Sequence, residues 1–362
     1  MRYRYTRREV TTTLGLGAVT ALAGCLGGSS DSAGAPTGVD ATPRPRRAPP
    51  AAERPLHLAY DRSRLREDVV SGGVPKDGIP AVDDPKFVDA AATDLRDDDV
   101  VFGIVRGGTA TAYPQPILVH HEIVNDRLDG VPVSVTYCPL TGTAMGFERG
   151  DTSFGVSGNL VNSNLVMYDR ATDSRWPQVL ATAISGPLAG RSLREFDLVW
   201  TTWKRWRGRH PTTRVLSEDP GYVPDDGVDP YGSYGAPRGY YARDSTMFPP
   251  LTADDRLGAK TVVVGVRTDR GAAAVTRPHL RRRGLVAVSV ADDRTLLVHD
   301  ADLDAAYGYR LPTDATVSTA ADGVVVDGTT HSPAALPFER RPAVEAMWFA
   351  WAGFYPGTAV HA

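Results

Sequence analysis

Apolar residues in this chain come in short runs closed off by glycine, proline and aspartate, a pattern that predicts strands rather than long helices. Val100-Val-Phe-Gly-Ile-Val105 suits a buried strand, Gly107-Gly108 a tight turn, and Thr109–Tyr113 a return strand. After Pro114 the positions Ile117, Leu118, His121 and Val124 fall at helical spacing, so a short helix is expected to carry His120 and His121. On a helix these two point about 100° apart and cannot converge on one atom. Val131–Tyr137 alternates as a strand that delivers Cys138 to its end, where Pro139 stops pairing. Thr143–Arg149 and Thr152–Ser157 read as a hairpin around Gly150-Asp151, and Leu165–Asp169 as a further strand. Thr201–His210 reads as a short helix or loop whose Trp203 and Trp206 pack inward, and the segment 219–250, rich in Asp, Gly, Pro and Tyr, as a long ordered loop.

The pattern recurs. Gly103–Leu118 finds an echo in Gly265–Leu280, each followed by a Val-rich strand, Val131–Tyr137 against Leu285–Val290, and each later reaching Gly146-Phe-Glu-Arg149 or Gly308-Tyr-Arg310. The expected fold is therefore α+β and β-rich: internally duplicated small sheets or barrels with short helices and long ordered loops. Residues 56–250 would form the first repeat and 251–362 a second, degenerate repeat with the C-terminal segment, the two making one compact unit. Where the first copy reads Val-Thr-Tyr-Cys-Pro the second reads Val-Ser-Val-Ala-Asp, and it lacks the His-Glu pair, so the chemistry is expected in the first copy.

The N-terminus changes the picture of where the protein works. Arg7-Arg8 precede an apolar stretch from about Thr13 to Leu22, and Leu22-Ala-Gly-Cys25 follows. In this order and spacing residues 1–25 read as a twin-arginine lipoprotein signal, with Cys25 the lipidated residue of the mature chain and 26–55 a flexible tether. The expectation is a protein exported and anchored by lipid to the outer face of the cell membrane. Cleavage before Cys25 removes four Arg and one Glu, a net +3, and takes the formal charge from −3 to −6. Neither value supplies a basic field for nucleic acid. With 42% hydrophobic residues the chain can bury a core without disulfides.

Candidate chemistry gathers in the first copy: Cys138, His121, Glu122 and Asn164, with His210 from the tryptophan segment. A thiolate with imidazoles suits copper or another transition metal, held by Cys138, His121 and His210. A thiol hydrolase or transferase would use Cys138 as nucleophile, His121 as base and Asn164 as orienting or donating amide, with Glu122 beside them. A third reading is a non-catalytic module that binds a glycan, peptide or protein through the aromatic loop, Tyr231 and Tyr234 included. The bland alternatives are a buried small hydrophobe for Cys138 and core packing for the tryptophans.

Taken together, Asp77-Gly-Ile-Pro80, His121-Glu-Ile-Val-Asn-Asp126, Thr136-Tyr-Cys-Pro-Leu140, Phe154-Gly-Val-Ser-Gly158, Asn162–Arg170, Trp203…Trp206…His210-Pro211 and Met347-Trp-Phe-Ala-Trp351 resemble the family called domain of unknown function 3179, over roughly residues 60–357. The resemblance implies a family and no reaction. Members of that family commonly carry Cys-Pro-Leu-Cys where this chain has Cys138-Pro-Leu-Thr141, so a paired dithiol is not available here.

Overall fold

The computed structural model describes residues 48–217, 229–234 and 237–362. The expected signal at 1–25, the tether up to residue 47 and parts of the 219–250 loop lie outside the described residues. The chain is already packed at Ala51, which pairs with Leu193, while the Ala52 N–H donates to the Ser192 carbonyl at 2.8 Å. Among the described residues no helix is long and apolar enough to cross a membrane.

The run at 100–105 forms β1 (Val100–Arg106), which turns through Gly107 and Gly108, both at positive φ, into β2 (Thr109–Pro114). Pro116 opens α1 (Gln115–His121), where its missing N–H forfeits no helical bond. An antiparallel meander follows: β3 (Ile123–Leu128), β4 (Val131–Cys138) and β5 (Thr143–Glu148). Next come β6 (Phe154–Val161), β7 (Asn164–Asp169) and β8 (Arg175–Pro177) in a separate sheet. The hairpin expected around Gly150-Asp151 is absent: β5 pairs with β4 and with β9 (Glu195–Phe196), and β6 pairs with β7. The chain instead crosses between sheets there, and Arg149 donates to the Val133 and Thr152 carbonyls at 3.0 and 2.6 Å, so a side chain takes the place of a strand ladder. Then β10 (Val199–Thr202), α2 (Trp203–Arg209) and β11 (Arg214–Leu216) return to the first sheet, β10 antiparallel to β1 and β11 parallel to β2.

The second half repeats this order: β12 (Val262–Arg267), β13 (Ala272–Thr276), α3 (Arg277–Arg283), β14 (Leu285–Val290), β15 (Asp293–Asp300) and β16 (Ala305–Arg310), followed after a three-stranded hairpin over 317–331 by β17 (Val344–Met347), α4 (Trp348–Phe354) and β18 (Ala359–His361). Here too β17 is antiparallel to β12 and β18 parallel to β13. The sheets are open, so the duplicated units are small sheets rather than barrels. Side chains repeat as well. A Cβ on Gly103 would overlap the Trp206 ring and one on Gly265 the Trp351 ring, which is why both strands need glycine. His210 and Tyr355, just past α2 and α4, stack on those same tryptophans at 4.3 and 4.9 Å.

This correspondence corrects the strand equivalence read from sequence. Leu285–Val290 matches β3, not Val131–Tyr137, and β4 matches β15. Asn125 and Asp126, which suggest a helix end and a turn, sit inside β3 because distant partners satisfy them. Asn125 bonds to Asp83 and Ser134, and Asp126 accepts from Tyr113. Cys138 thus stands opposite Asp300, His121 opposite Arg283, and Glu122 opposite Gly284. The largest core joins both halves, packing Cys138, Leu165 and Trp176 of the first against Trp348, Trp351 and Phe354 of the second.

Candidate functional site

The end of α1 sets up the site. A helix that stops on a left-handed residue frees its last carbonyls to be capped, and glycine is the usual residue there because it has no Cβ. α3 ends in that way on Gly284, φ 71, whose N–H donates to Leu280 O. α1 ends on Glu122, φ 57, whose N–H donates to Leu118 O at 2.7 Å. The second strand after each helix, β4 or β15, closes both caps alike, with Tyr137 N–H on Glu122 O and His299 N–H on Gly284 O, each at 2.8 Å. Glu122 is 7% exposed, and among the described residues its carboxyl has no hydrogen-bond or ion-pair partner. Burial alone pushes its pKa up to about 8, so it holds its proton at neutral pH.

Cys138 lies beside it at the end of β4. Its Sγ faces the Ser163 carbonyl at 3.7 Å and accepts the Leu165 N–H at 3.4 Å. The thiol is wholly buried in the shared core, and burial, reinforced by the charge Glu122 would carry, pushes its pKa up to about 11. Of the readings open for Cys138, the structure supports the buried one: the turn at Asn162 and Ser163, both left-handed, folds β7 directly over the sulfur. A neutral, enclosed thiol is a poor nucleophile. In a Cys25→Ala chain, where Cys138 is the one remaining thiol, Ellman's reagent is therefore expected to release no thiolate chromophore until the protein is unfolded. A full equivalent released from the folded protein would contradict this burial.

The other predicted residues divide. His121 is turned away, its Nδ1 2.8 Å from the Pro80 carbonyl. Asn164 is a buried clamp, its Nδ2 donating to Thr141 Oγ1 and Gln178 Oε1, each at 3.0 Å, and its Oδ1 accepting the Val179 N–H at 2.9 Å. His210 lines a different cavity, described below. Cys138, His121 and His210 are thus not brought together, and among the described residues no three His, Cys, Asp or Glu side chains form a metal-binding group. Trp176, Trp203, Trp206, Trp348 and Trp351 are all core residues. Asp169 and Arg170, adjacent in sequence and suggestive of an ion pair, go to separate partners: Asp169 accepts from Trp176 Nε1 at 3.0 Å, and Arg170 reaches Asp83 at 2.6 Å.

Three residues complete the surroundings. Tyr231 lies close enough to Glu122 and Cys138 that their ionised forms would raise its phenol further above the ordinary range. Its ring meets Tyr240 edge-on at 6.1 Å, and Tyr240 Oη donates to Leu140 O at 2.7 Å. Lys260 Nζ sits 2.9 Å from the centre of the Tyr240 ring, and burial lowers its pKa to about 7. Tyr240 and Lys260 escape a sequence reading because they arrive from more than a hundred residues away. The one signal was scarcity, Lys260 being one of only four lysines.

Comparison with known proteins adds a family and nothing finer. A family model described as "Protein of unknown function (DUF3179)" matches residues 76–358. No curated protein and no solved structure matches the chain.

Proposed function

We propose that this chain, which belongs to the DUF3179 family, is an exported, lipid-anchored binding protein whose first repeat takes an uncharged, hydrogen-bonding ligand of the glycan or peptide class at Glu122 and Tyr231. The observation that carries this reading is Glu122 itself. A left-handed backbone and a buried, unpartnered carboxyl are two separate costs at one residue, and the twin position avoids both with glycine. Strain and desolvation kept at one place in one of two equivalent copies is the pattern of a site retained for binding. At neutral pH a carboxylic acid, a thiol and two phenols gathered there are uncharged, and Lys260 over the Tyr240 ring, its pKa lowered to about 7, carries only part of its charge. They favour a neutral partner with oxygen or nitrogen acceptors over an ion. The copper and thiolate readings lose support, since each requires the sulfur to ionise where burial opposes it.

Arrays of neutral oligosaccharides and of peptides, probed with the full chain, test the proposal. Binding should disappear with Tyr231→Ala, weaken as pH rises through 8 and Glu122 ionises, and no longer weaken above pH 8 in Glu122→Gln. Retention unchanged by Tyr231→Ala and flat across pH would refute it. Export and anchoring rest on Arg7-Arg8 and Leu22–Cys25. In a host with lipoprotein processing, Cys25→Ala should abolish incorporation of labelled fatty acid, and a label that persists would refute the anchor.

A further inference from the structure

A cavity of about 510 Å³ lies where the two halves meet, apart from the Glu122 site. The duplication explains its location. Asp300 and His210 line it, and their twins are Cys138 and Tyr355. The twin pair is sealed in the core with Leu165 and Trp176, carried by β7 and β8. The corresponding insert of the second half, the hairpin over 317–331, packs instead against Tyr307, Tyr309 and Leu311. One copy of this place is filled and the other is open.

The lining combines apolar and cationic groups in a definite way. Ile104, Val105, Phe196 and Leu303 form apolar wall, and Val105 is 51% exposed, one of three large apolar side chains left in solvent among the described residues. Arg106, Arg209 and Arg340 enter from different elements. The carboxylates are already engaged: Glu148 by Arg106 at 3.0 Å and Arg194 at 3.9 Å, Glu195 by Arg267, and Asp300 by the N–H groups of Asp302 and Leu303 at 3.0 and 3.1 Å. Asp197 accepts the Ala343 N–H at 3.2 Å and faces Arg340 at 3.5 Å. The guanidiniums are less fully used. Arg209 has one loose pair, 3.5 Å to Asp302, whose side chain is itself largely in solvent, and Arg340 stacks on Tyr307 and Tyr309 at 4.5 and 4.9 Å with Asp197 on its Nε. A guanidinium offers five N–H donors, so donors outnumber the acceptors present.

From this geometry we infer that the cavity binds a small organic anion, a carboxylate or sulfonate on a flat apolar body, with the body against Val105 and Phe196 and the anion on Arg209 and Arg340. An inorganic anion would leave the apolar wall wet, and a neutral aromatic would leave the spare guanidinium donors without acceptors.

The test uses the full chain and two dyes alike in shape, 8-anilinonaphthalene-1-sulfonate and the uncharged N-phenyl-1-naphthylamine. The sulfonate should bind at one saturable site per chain, and the neutral dye at least tenfold more weakly. Arg340→Gln and Arg209→Gln should each weaken the sulfonate about tenfold and leave the neutral dye unchanged. Val105→Asp should weaken both, and Arg283→Gln, an exposed change on α3, neither. Arg340 supports two tyrosines, so Arg209→Gln decides the matter if Arg340→Gln unfolds. Equal affinity for the two dyes, or sulfonate binding indifferent to Arg209→Gln, would overturn the inference. Glu122→Gln should alter neither dye, which keeps this result separate from the first-repeat site.

Discussion

Glu122→Gly is expected to stabilise the folded protein at neutral pH by about 3 kcal/mol, although it deletes a side chain. Two effects contribute. A glutamate held left-handed costs on the order of 1 kcal/mol relative to glycine, a gain partly offset by the freer unfolded chain. The larger effect is electrostatic. A carboxyl that titrates near 8 in the fold and near 4.5 in the open chain binds its proton more tightly when folded, so it does not burden stability below about pH 4.5. As pH rises from there the open chain releases the proton first and the fold loses ground, by about 3 kcal/mol at pH 7 and about 5 kcal/mol above pH 8. The stability difference between native and variant, measured by urea unfolding from pH 4 to 9, should therefore widen with pH, every other titrating group cancelling. Glu122→Gln should show the same pH-dependent difference without the backbone gain. A difference that stays constant, or a glycine variant less stable throughout, would remove the basis for calling this residue a retained liability.

Arg267→Met is expected to destabilise by about 3–5 kcal/mol, because it strands Glu195 without its cation. The two side chains are 1% and 9% exposed, and burial already pushes Glu195 up. The pair is also poorly completed, since Arg267 Nε and Nη1 have no hydrogen-bond partner. Replacing both members, Arg267→Met with Glu195→Leu, should then recover most of the loss, as removing a buried pair spares both desolvation costs. The twin of Arg267 is Val105, so an apolar side chain already occupies the equivalent strand position. A double variant no more stable than the single one would show that the pair contributes more than its ions.

Much of this architecture was legible in the sequence where local pattern and fold agree. The runs that became β1, β2 and α1, the inward Trp203 and Trp206, and the Gly103–Gly265 echo all follow from side-chain periodicity and from glycines that face a tryptophan. What was lost is what depends on distant partners. β3 was hidden because Asn125 and Asp126 look like turn residues until Asp83, Ser134 and Tyr113 are seen to satisfy them. That concealed strand shifted the repeat alignment and hid the pairing of Glu122 with Gly284, the one comparison that singles out the glutamate. The sequence left Cys138 open between a reactive thiol and a buried small side chain for a related reason. Position at a strand end is a local fact, whereas the β7 chain that covers the sulfur belongs to another sheet.

The core that encloses Cys138 draws its last tryptophan and phenylalanine from α4, and Asn162 grips that helix by donating to the Ala350 carbonyl at 2.7 Å. During synthesis the ribosome delivers β4 and β7 some two hundred residues before this helix. Until then the early half carries an apolar surface with nothing to cover it, in need of a holdase or of delay. The order of emergence thus makes the segment at 348–354 the latch, and a chain released just short of it would be prey for proteases rather than a slightly loosened protein.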